Sequence, residues 1–383
     1  MTSIAAGSPT ATNKPAIALG NRPSRDQLLL LHAALDDPGE GRSAWQRWRS
    51  AVDLGDVDPG SARLLPLVYR NLDPRYFDAE DAGYLKELYR RAWSHSQALF
   101  RRGAEAIGAL ASRDIETLTI KGASLALIAY DDVGARPMED VDLLVPFARA
   151  GEAIEALEAA GWSPERDDDP LAWREVHHSL GFAGPDGGHV DLHWFALWQP
   201  ASDEELWSAS APLDLAGAST RTPSAADQLL LACVHGVPWS LLPSFRWIAD
   251  ATTVIRSAGE SFDWDRLASE AERRHLTVAC AAALAFLREE FRVAVPEATL
   301  KRLRRAPAPR HERAAFRAAC QPDSPLRTLR MAWDRYRRLR DLDTGAPRPA
   351  GFVSFARRFW GLDSAWQLPL HAGRALTQAV AQR

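Results

Sequence analysis

The first quarter of the chain carries apolar residues at three- and four-residue steps, the spacing that lines up one face of a helix. The pattern runs through four segments, at residues 26–35, 43–52, 61–72 and 84–113. We therefore predict a helical N-terminal region over residues 25–110. The preceding residues 1–24 are mostly small or polar, which predicts a disordered N-terminal tail.

Between residues 111 and 200 the pattern changes to short β-rich runs bounded by turn residues. These runs predict strands at residues 115–121, 140–145, 173–182 and 189–194. Helical spacing predicts short helices between them, at residues 122–130 and 148–160. The middle of the chain is therefore expected to form a small mixed α/β core, and the fold class is α+β.

Helical spacing returns after Trp194 and continues toward the C-terminus. Ser224 with Asp227 three residues later resembles a capping box and predicts the start of a helix. We divide this half of the chain into a helical region at residues 201–295 and an arginine-rich helical region at 296–383. A solvated face explains the arginines of the last region most simply, and contact with a partner or an anionic surface is the alternative.

Length and composition exclude several classes of protein. The 383 residues are 46% hydrophobic, which is enough for a large core. The net charge of −4 argues against a general nucleic-acid binder. No apolar run approaches the roughly 20 residues that span a bilayer. The three separated cysteines predict reduced thiols in a cytoplasmic protein.

Two aspartates with like charge lie one residue apart in the predicted strand at 140–145. Side chains at positions i and i+2 of a strand point the same way, so Asp140 and Asp142 are expected to converge. A divalent cation relieves their repulsion, and carboxylate oxygens suit Mg²⁺. The alternative is that Asp140 ends a loop while Asp142 pairs with Arg136.

A third carboxylate is expected on a neighbouring strand. In the run Gly-Gly-His-Val-Asp-Leu-His-Trp, Asp191 and His193 share one face. Asp191 therefore completes a candidate three-carboxylate metal site, with His193 as a neighbour that orients it. A solvent-exposed aspartate and a packed histidine are the alternatives.

Gly122 directly follows a predicted strand and opens a predicted helix. The backbone N–H groups and the dipole of a helix N-terminus favour a phosphate, and Lys121 and Ser124 are polar candidates beside it. Arg136 is a further candidate that either contacts phosphate or pairs with the aspartates. A tight strand-to-helix turn alone also accounts for the glycine.

These motifs together resemble the polymerase-β-like nucleotidyltransferase superfamily. They are most similar to its bacterial family of uncharacterised nucleotidyltransferases, over roughly residues 25–295. The residues that carry the resemblance are Lys121–Ala126, Tyr130, Gly134–Val145, Leu157–Trp162, Val190–Trp194, His235, Arg246–Asp250 and Asp263–Leu267. The chain departs from the superfamily pattern at Ala123, which holds the slot where the superfamily has a serine.

The resemblance implies a polymerase-β-like core that binds Mg²⁺, or Mn²⁺, at Asp140, Asp142 and Asp191. It also implies a nucleoside triphosphate donor whose phosphates lie over Gly122, and a substrate cleft completed by residues 201–295. Asp191 would assist a second metal or activate the acceptor.

Three histidines are candidates for further members of the site: His178, His193 and His235. His177 and His178 are expected to face opposite sides of a strand, so only one would reach the site. His235, Arg246 and Asp250 have the helical spacing to face one cleft, as substrate-binding groups or as a buried polar network.

The sequence therefore predicts an Mg²⁺-dependent nucleotidyltransferase that acts on an unknown acceptor, such as a peptide, a glycan or a small-molecule natural product. One alternative is a transferase with another phosphate-linked donor, such as a nucleotide sugar. The other is a non-catalytic scaffold with the same core. No motif for nucleic-acid recognition is present in the sequence.

Overall fold

The computed structural model describes residues 19–20, 22–166, 169–238, 245–322 and 324–368. Most of the tail predicted at residues 1–24 lies outside these described ranges, as does the end of the chain from residue 369. The described residues form a mixed α+β fold, which confirms the predicted fold class.

The N-terminal region is helical, as the apolar spacing predicts. Its helices are α1 (Arg25–Leu35), α2 (Pro38–Arg49), α3 (Pro59–Ala62), α4 (Leu65–Asn71) and α5 (Ala79–Ala111). The segment predicted as one helix at 61–72 is divided between α3 and α4. Pro66 explains the break, because proline lacks an N–H and belongs in the first turn of a helix, where it lies in α4.

Seven strands form a single mixed sheet. They are β1 (Leu118–Ile120), β2 (Val141–Leu144), β3 (Ser163–Pro164), β4 (Ser179–Ala183), β5 (His189–His193), β6 (Ala211–Leu215) and β7 (Ala218–Thr222). Their order across the sheet is β3-β4-β5-β2-β1-β7-β6. The central strand β2 pairs with β5 in parallel and with β1 antiparallel, so the two predicted aspartate-bearing strands are neighbours.

Two predictions about the sheet were wrong. The strand expected at 173–182 begins only at β4, because Asp169 caps a short helix, α8 (Pro170–Arg174). The β6–β7 hairpin was predicted as helix. Its strands are short and partly exposed, and its turn at Ala216 and Gly217 has positive φ at both residues without the Asn-Gly or Asp-Gly signature of such turns.

The remaining helices follow the predicted spacing, and Ser224 caps α10 through the N–H of Asp227. They are α6 (Lys121–Ile128), α7 (Ala150–Ala159), α9 (Glu204–Ser208), α10 (Ala225–Gly236), α11 (Arg246–Ala258), α12 (Trp264–Arg273), α13 (Thr277–Phe291), α14 (Glu297–Arg305), α15 (Arg310–Ala319), α16 (Pro325–Asp341) and α17 (Phe352–Phe359). None of the helices in the described ranges has the length and apolar composition that crossing a membrane requires.

The long helix α5 covers one face of the sheet and packs against β2, β5, β6 and β7. Gly103 allows this close approach, since a Cβ there would lie 3.1 Å from the side chain of Val141. Val141 therefore faces α5. Because neighbouring side chains of a strand alternate, Asp142 faces the opposite side of the sheet, where α6 packs against β1 and β2.

Candidate active site

A cavity of about 460 Å³ opens on the face of the sheet opposite α5. Its walls come from β2, β4 and β5 on one side and from α6, α10 and α11 on the other. Ten of the residues predicted from the sequence line it: Lys121, Gly122, Arg136, Asp140, Asp142, His178, Asp191, His235, Arg246 and Asp250. Two predicted residues, Ser124 and His193, are not among its lining residues.

The three aspartates meet at the sheet side of this cavity. Asp142 on β2 is the register partner of Asp191 on the parallel strand β5, and Asp140 directly precedes β2. The adjacency expected from the alternating pattern is therefore present. Asp142 is buried, whereas the Asp191 side chain remains 26% exposed toward the cavity.

His193 lies fully buried beneath the aspartates and connects them. Its Nε2 lies 2.9 Å from Asp191 Oδ2 and 3.1 Å from Asp142 Oδ1, and its Nδ1 lies 3.2 Å from the carbonyl of Phe195. Burial and Lys121 lower the pKa of His193, but the two carboxylates outweigh them and raise it to about 9. His193 is therefore charged at neutral pH, and both ring N–H groups donate.

Lys121 places a second cation in the same cluster. Its Nζ donates to Asp142 Oδ1 at 2.6 Å and lies 3.2 Å from His193 Nε2. The backbone of Lys121 is left-handed, with φ of 50°, where α6 begins. That conformation costs a residue with a Cβ roughly 1–2 kcal/mol. Such strain persists where surrounding contacts hold the residue in place.

The aspartates differ in acidity because their partners differ. Burial opposes ionisation of Asp142, but Lys121 and His193 outweigh it and lower its pKa. Burial also opposes ionisation of Asp191, and His193 and Lys121 lower its pKa as well. Burial and the neighbouring Asp142 raise the pKa of Asp140 to about 6.

The chemistry of this cluster suits a divalent cation. One ligand atom each from Asp142, Asp191 and His193 lies within 4.8 Å of the others, and Asp140 lines the same cavity. Carboxylate oxygens are the ligands that Mg²⁺ prefers, and Mn²⁺ accepts them as well.

A buried ion pair forms the opposite wall of the cavity. Arg136 donates from Nε and Nη2 to both carboxylate oxygens of Asp250, at 2.8 and 2.9 Å, and Tyr130 donates to the same carboxylate at 2.8 Å. Arg136 therefore pairs with Asp250 and not with Asp142, so the predicted alternative for Asp142 was wrong.

One nitrogen of the Arg136 guanidinium takes no part in this ion pair. This atom, Nη1, is buried and has no hydrogen-bond partner among the described residues. A Cβ on Gly122 would lie 2.8 Å from this atom, so the spare N–H groups lie directly beside the first turn of α6. A helix N-terminus and an unpaired guanidinium edge both favour an anion.

Ser124 lies away from this anion-favouring corner. Its hydroxyl is fully buried and is hydrogen-bonded to Thr222 Oγ1 at 2.7 Å and to Gln228 Nε2 at 3.1 Å. The structure therefore joins Ser124 to β7 and α10 instead of the cavity. The sequence does not indicate these partners, because its pattern does not predict the β6–β7 hairpin.

Two residues of this lining set, Arg246 and His235, lie on the helix side of the cavity. Arg246 donates to the carbonyl of Pro137 at 2.5 Å, and burial together with Arg136 lowers its pKa to about 10. His235 is exposed and lines the same cavity. Arg63 of the N-terminal region also reaches the cavity, and nothing in its local sequence indicated this.

No curated protein matches the chain. Among solved structures, the chain is similar to the antibiotic-resistance factor ANT(2'')-Ia in solution, at 15% identity and a TM-score of 0.32, over 52% of this chain and 95% of that chain. It is also similar to crystalline ANT(2'')-Ia in complex with adenylyl-2''-tobramycin, at 18% identity and a TM-score of 0.31, over 49% and 97%.

A third similar structure is an antigenic nucleotidyltransferase-like protein from Paracoccidioides brasiliensis, at 15% identity and a TM-score of 0.34, over 53% of this chain and 92% of that chain. The model of one protein family, described as uncharacterised nucleotidyltransferase, matches residues 60–292. This match spans more than half of the 383 residues and includes every lining residue named above. It confirms both the predicted resemblance and the prediction of an enzyme. The chain belongs to the uncharacterised nucleotidyltransferase family.

Proposed function

We propose that this enzyme transfers a nucleotidyl group from a nucleoside triphosphate to a hydroxyl or phosphate of an acceptor, in an Mg²⁺-dependent reaction. One observation carries the proposal: carboxylates and a guanidinium group face each other across the same cavity. Asp142 and Asp191 converge on the sheet side, and Nη1 of Arg136, for which the described residues offer no partner, lies on the helix side.

Asp140, Asp142 and Asp191 would hold the Mg²⁺ ion, with Mn²⁺ as the alternative. Such an ion, when bound, neutralises charge on the transferring phosphorus group and orients it. His193 would keep the Asp142 and Asp191 carboxylates in place, because it donates to both of them from the buried side. Asp140 is the carboxylate whose charge is least compensated, as its raised pKa indicates.

The phosphates of the donor would lie at the first turn of α6. Gly122 lets the Arg136 guanidinium approach the backbone there, and Nη1 of Arg136 supplies two N–H groups that no described residue accepts. Asp250 holds the guanidinium in a fixed plane by its two hydrogen bonds, so Arg136 loses little freedom when it binds an anion. Arg246 adds a second positive charge to this wall.

The acceptor would enter from the remaining part of the cavity, where Asp191 is partly exposed and His235 is exposed. Either group is then able to take the proton of an acceptor hydroxyl. We propose a peptide, a glycan or a small-molecule natural product as the acceptor class, since each offers such hydroxyls.

The test is calorimetric binding of ATP, GTP, CTP and UTP, each with and without MgCl₂, to the wild type and to Asp140→Asn/Asp142→Asn. Asp186→Asn, on an exposed turn, is the matched control for loss of aspartate charge. We expect Mg²⁺-dependent binding of at least one triphosphate, retained in the control and lost in the double variant. Absence of binding by all four would contradict the proposal. Binding of UDP-glucose in their place would favour a nucleotide-sugar donor.

A further inference from the structure

Lys121 contacts Asp142, the buried aspartate of the cluster. Its Nζ lies 2.6 Å from Asp142 Oδ1, and the same oxygen also accepts from His193 Nε2 at 3.1 Å. A carboxylate oxygen has two lone pairs. Both lone pairs of Oδ1 are therefore engaged by cationic side chains of the protein itself.

An additional cation at this oxygen has to displace one of the two donors. His193 is fully buried, and Phe195 holds its second nitrogen through a backbone carbonyl at 3.2 Å. Lys121 has a flexible four-carbon stem, and its side chain is 23% exposed into the cavity. Lys121 is consequently the donor that is free to leave.

We propose that the Lys121 ammonium and a divalent cation compete for Asp142, so that Lys121 keeps the carboxylates assembled until the metal binds. This inference rests on the proposed function, because it requires a metal at the aspartates. It makes Lys121 a positioning residue of the metal site. The sequence alone suggested only a phosphate contact for it.

Competition has a definite consequence for metal affinity. Removing the ammonium removes the competitor and leaves the carboxylates with unbalanced negative charge. The metal-free protein is then less stable, and it binds the metal more tightly. If Lys121 instead replaced the metal permanently, the wild type would bind no metal, and only the variant without the ammonium would.

The experiment measures Mn²⁺ binding by electron paramagnetic resonance, which reports free Mn²⁺, on metal-free protein without nucleotide. It compares the wild type with Lys121→Met and Lys121→Arg, and uses Lys86→Met on the exposed face of α5 as the control. We expect Lys121→Met to bind Mn²⁺ at least about tenfold more tightly than the wild type, because a nearby like charge is gone. Lys121→Arg retains the charge and is expected to remain close to the wild type.

The outcomes separate this inference from the proposed function. Equal Mn²⁺ affinity in the wild type and Lys121→Met would overturn the competition and leave the nucleotidyltransferase proposal intact. No Mn²⁺ binding by either protein, even with ATP present, would overturn both.

A second measurement on the wild type covers the case in which Lys121→Met does not fold. The chain has four lysines, at positions 14, 86, 121 and 301, which peptide mass spectrometry distinguishes after reductive methylation. We expect Lys121 to be protected in metal-free protein and to react faster with saturating Mn²⁺, while the exposed Lys86 and Lys301 do not change. Unchanged reactivity of Lys121 would overturn the inference.

Discussion

Asp142 and Asp191 lie opposite each other on two neighbouring parallel strands, and one buried imidazole donates to both carboxylates. Two carboxylates in such proximity repel unless cations are present. In this protein His193 and Lys121 supply the positive charge from within the fold. The pair is therefore neutralised from within the fold, and a metal that binds there would have to compete with these two side chains.

Loss of the Asp142 charge should abolish tight metal binding. Asp142→Asn keeps the shape of the side chain but removes a ligand charge, so we expect Mn²⁺ affinity to fall by at least about tenfold. Electron paramagnetic resonance of free Mn²⁺ measures the change, and Asp186→Asn should leave the affinity as in the wild type. Retained affinity in Asp142→Asn would place the metal elsewhere.

Removing one partner of the buried Arg136–Asp250 pair should destabilise the protein strongly. Asp250→Ala leaves a buried guanidinium without its carboxylate, and we expect the free energy of unfolding to fall by about 3–5 kcal/mol. Urea denaturation measures this. The double variant Arg136→Met/Asp250→Leu removes both charges and should cost less than Asp250→Ala alone. A larger cost in the double variant would show that packing, and not the unpaired charge, dominates.

A side chain at Gly122 should disturb the anion-favouring corner. In Gly122→Ala the new Cβ would meet Nη1 of Arg136 at 2.8 Å, so the guanidinium must shift or the first turn of α6 must move. We expect triphosphate affinity to fall by about tenfold or more, since each charged hydrogen bond contributes about 1.5–3 kcal/mol. Calorimetry measures the affinity.

The matched control for that change is Gly108→Ala on α5, where a Cβ meets nothing within 4 Å. Alanine in a helix interior stabilises by roughly 0.5–1 kcal/mol relative to glycine, so this variant should be slightly more stable and bind as the wild type does. Equal binding by both alanine variants would remove Gly122 from the phosphate site.

Ser124 should matter for stability and not for binding. Ser124→Ala removes a buried hydroxyl bonded to Thr222 and Gln228, and we expect a loss of about 1–2 kcal/mol in the free energy of unfolding. Triphosphate affinity should stay at the wild-type value. A specific loss of affinity with unchanged stability would restore the contact that the sequence suggested.

His177 should make the protein less stable in acid. Burial, Arg335 and Arg166 lower its pKa to about 3, while an unfolded histidine titrates near 6.5. Between these values the unfolded chain binds a proton that the folded one does not. The free energy of unfolding therefore falls as the pH drops from 6.5 to 3, by up to about 1.4 kcal/mol per pH unit.

The variant that isolates this effect is His177→Phe. A phenyl ring keeps the stack between Trp173 and Phe359, at 3.4 and 5.0 Å between ring centroids, but does not titrate. Urea denaturation at a series of pH values should show a shallower slope for the variant between pH 6.5 and 3. Identical slopes would assign the acid sensitivity to other groups.

The sequence by itself determined the features that depend on local geometry. The period of a helix follows from a few neighbouring residues, so the helical regions and the Ser224 cap were predicted. The period of a strand is equally local, which is why Asp142 could be assigned to one face and Val141 to the other. The resemblance to the nucleotidyltransferase family also rests on such short motifs.

Only the tertiary structure decided which charged groups pair. Asp250 lies 114 positions after Arg136, and many acids along the chain were equally available to that arginine. Lys121 contacts Asp142 because a left-handed residue opens α6 beside β2, a conformation that the sequence does not signal for lysine. Ser124 is hydrogen-bonded to Thr222 on β7 for a similar reason. Its partners lie far along the chain, and pairing over such separations is set by the packing of the whole fold.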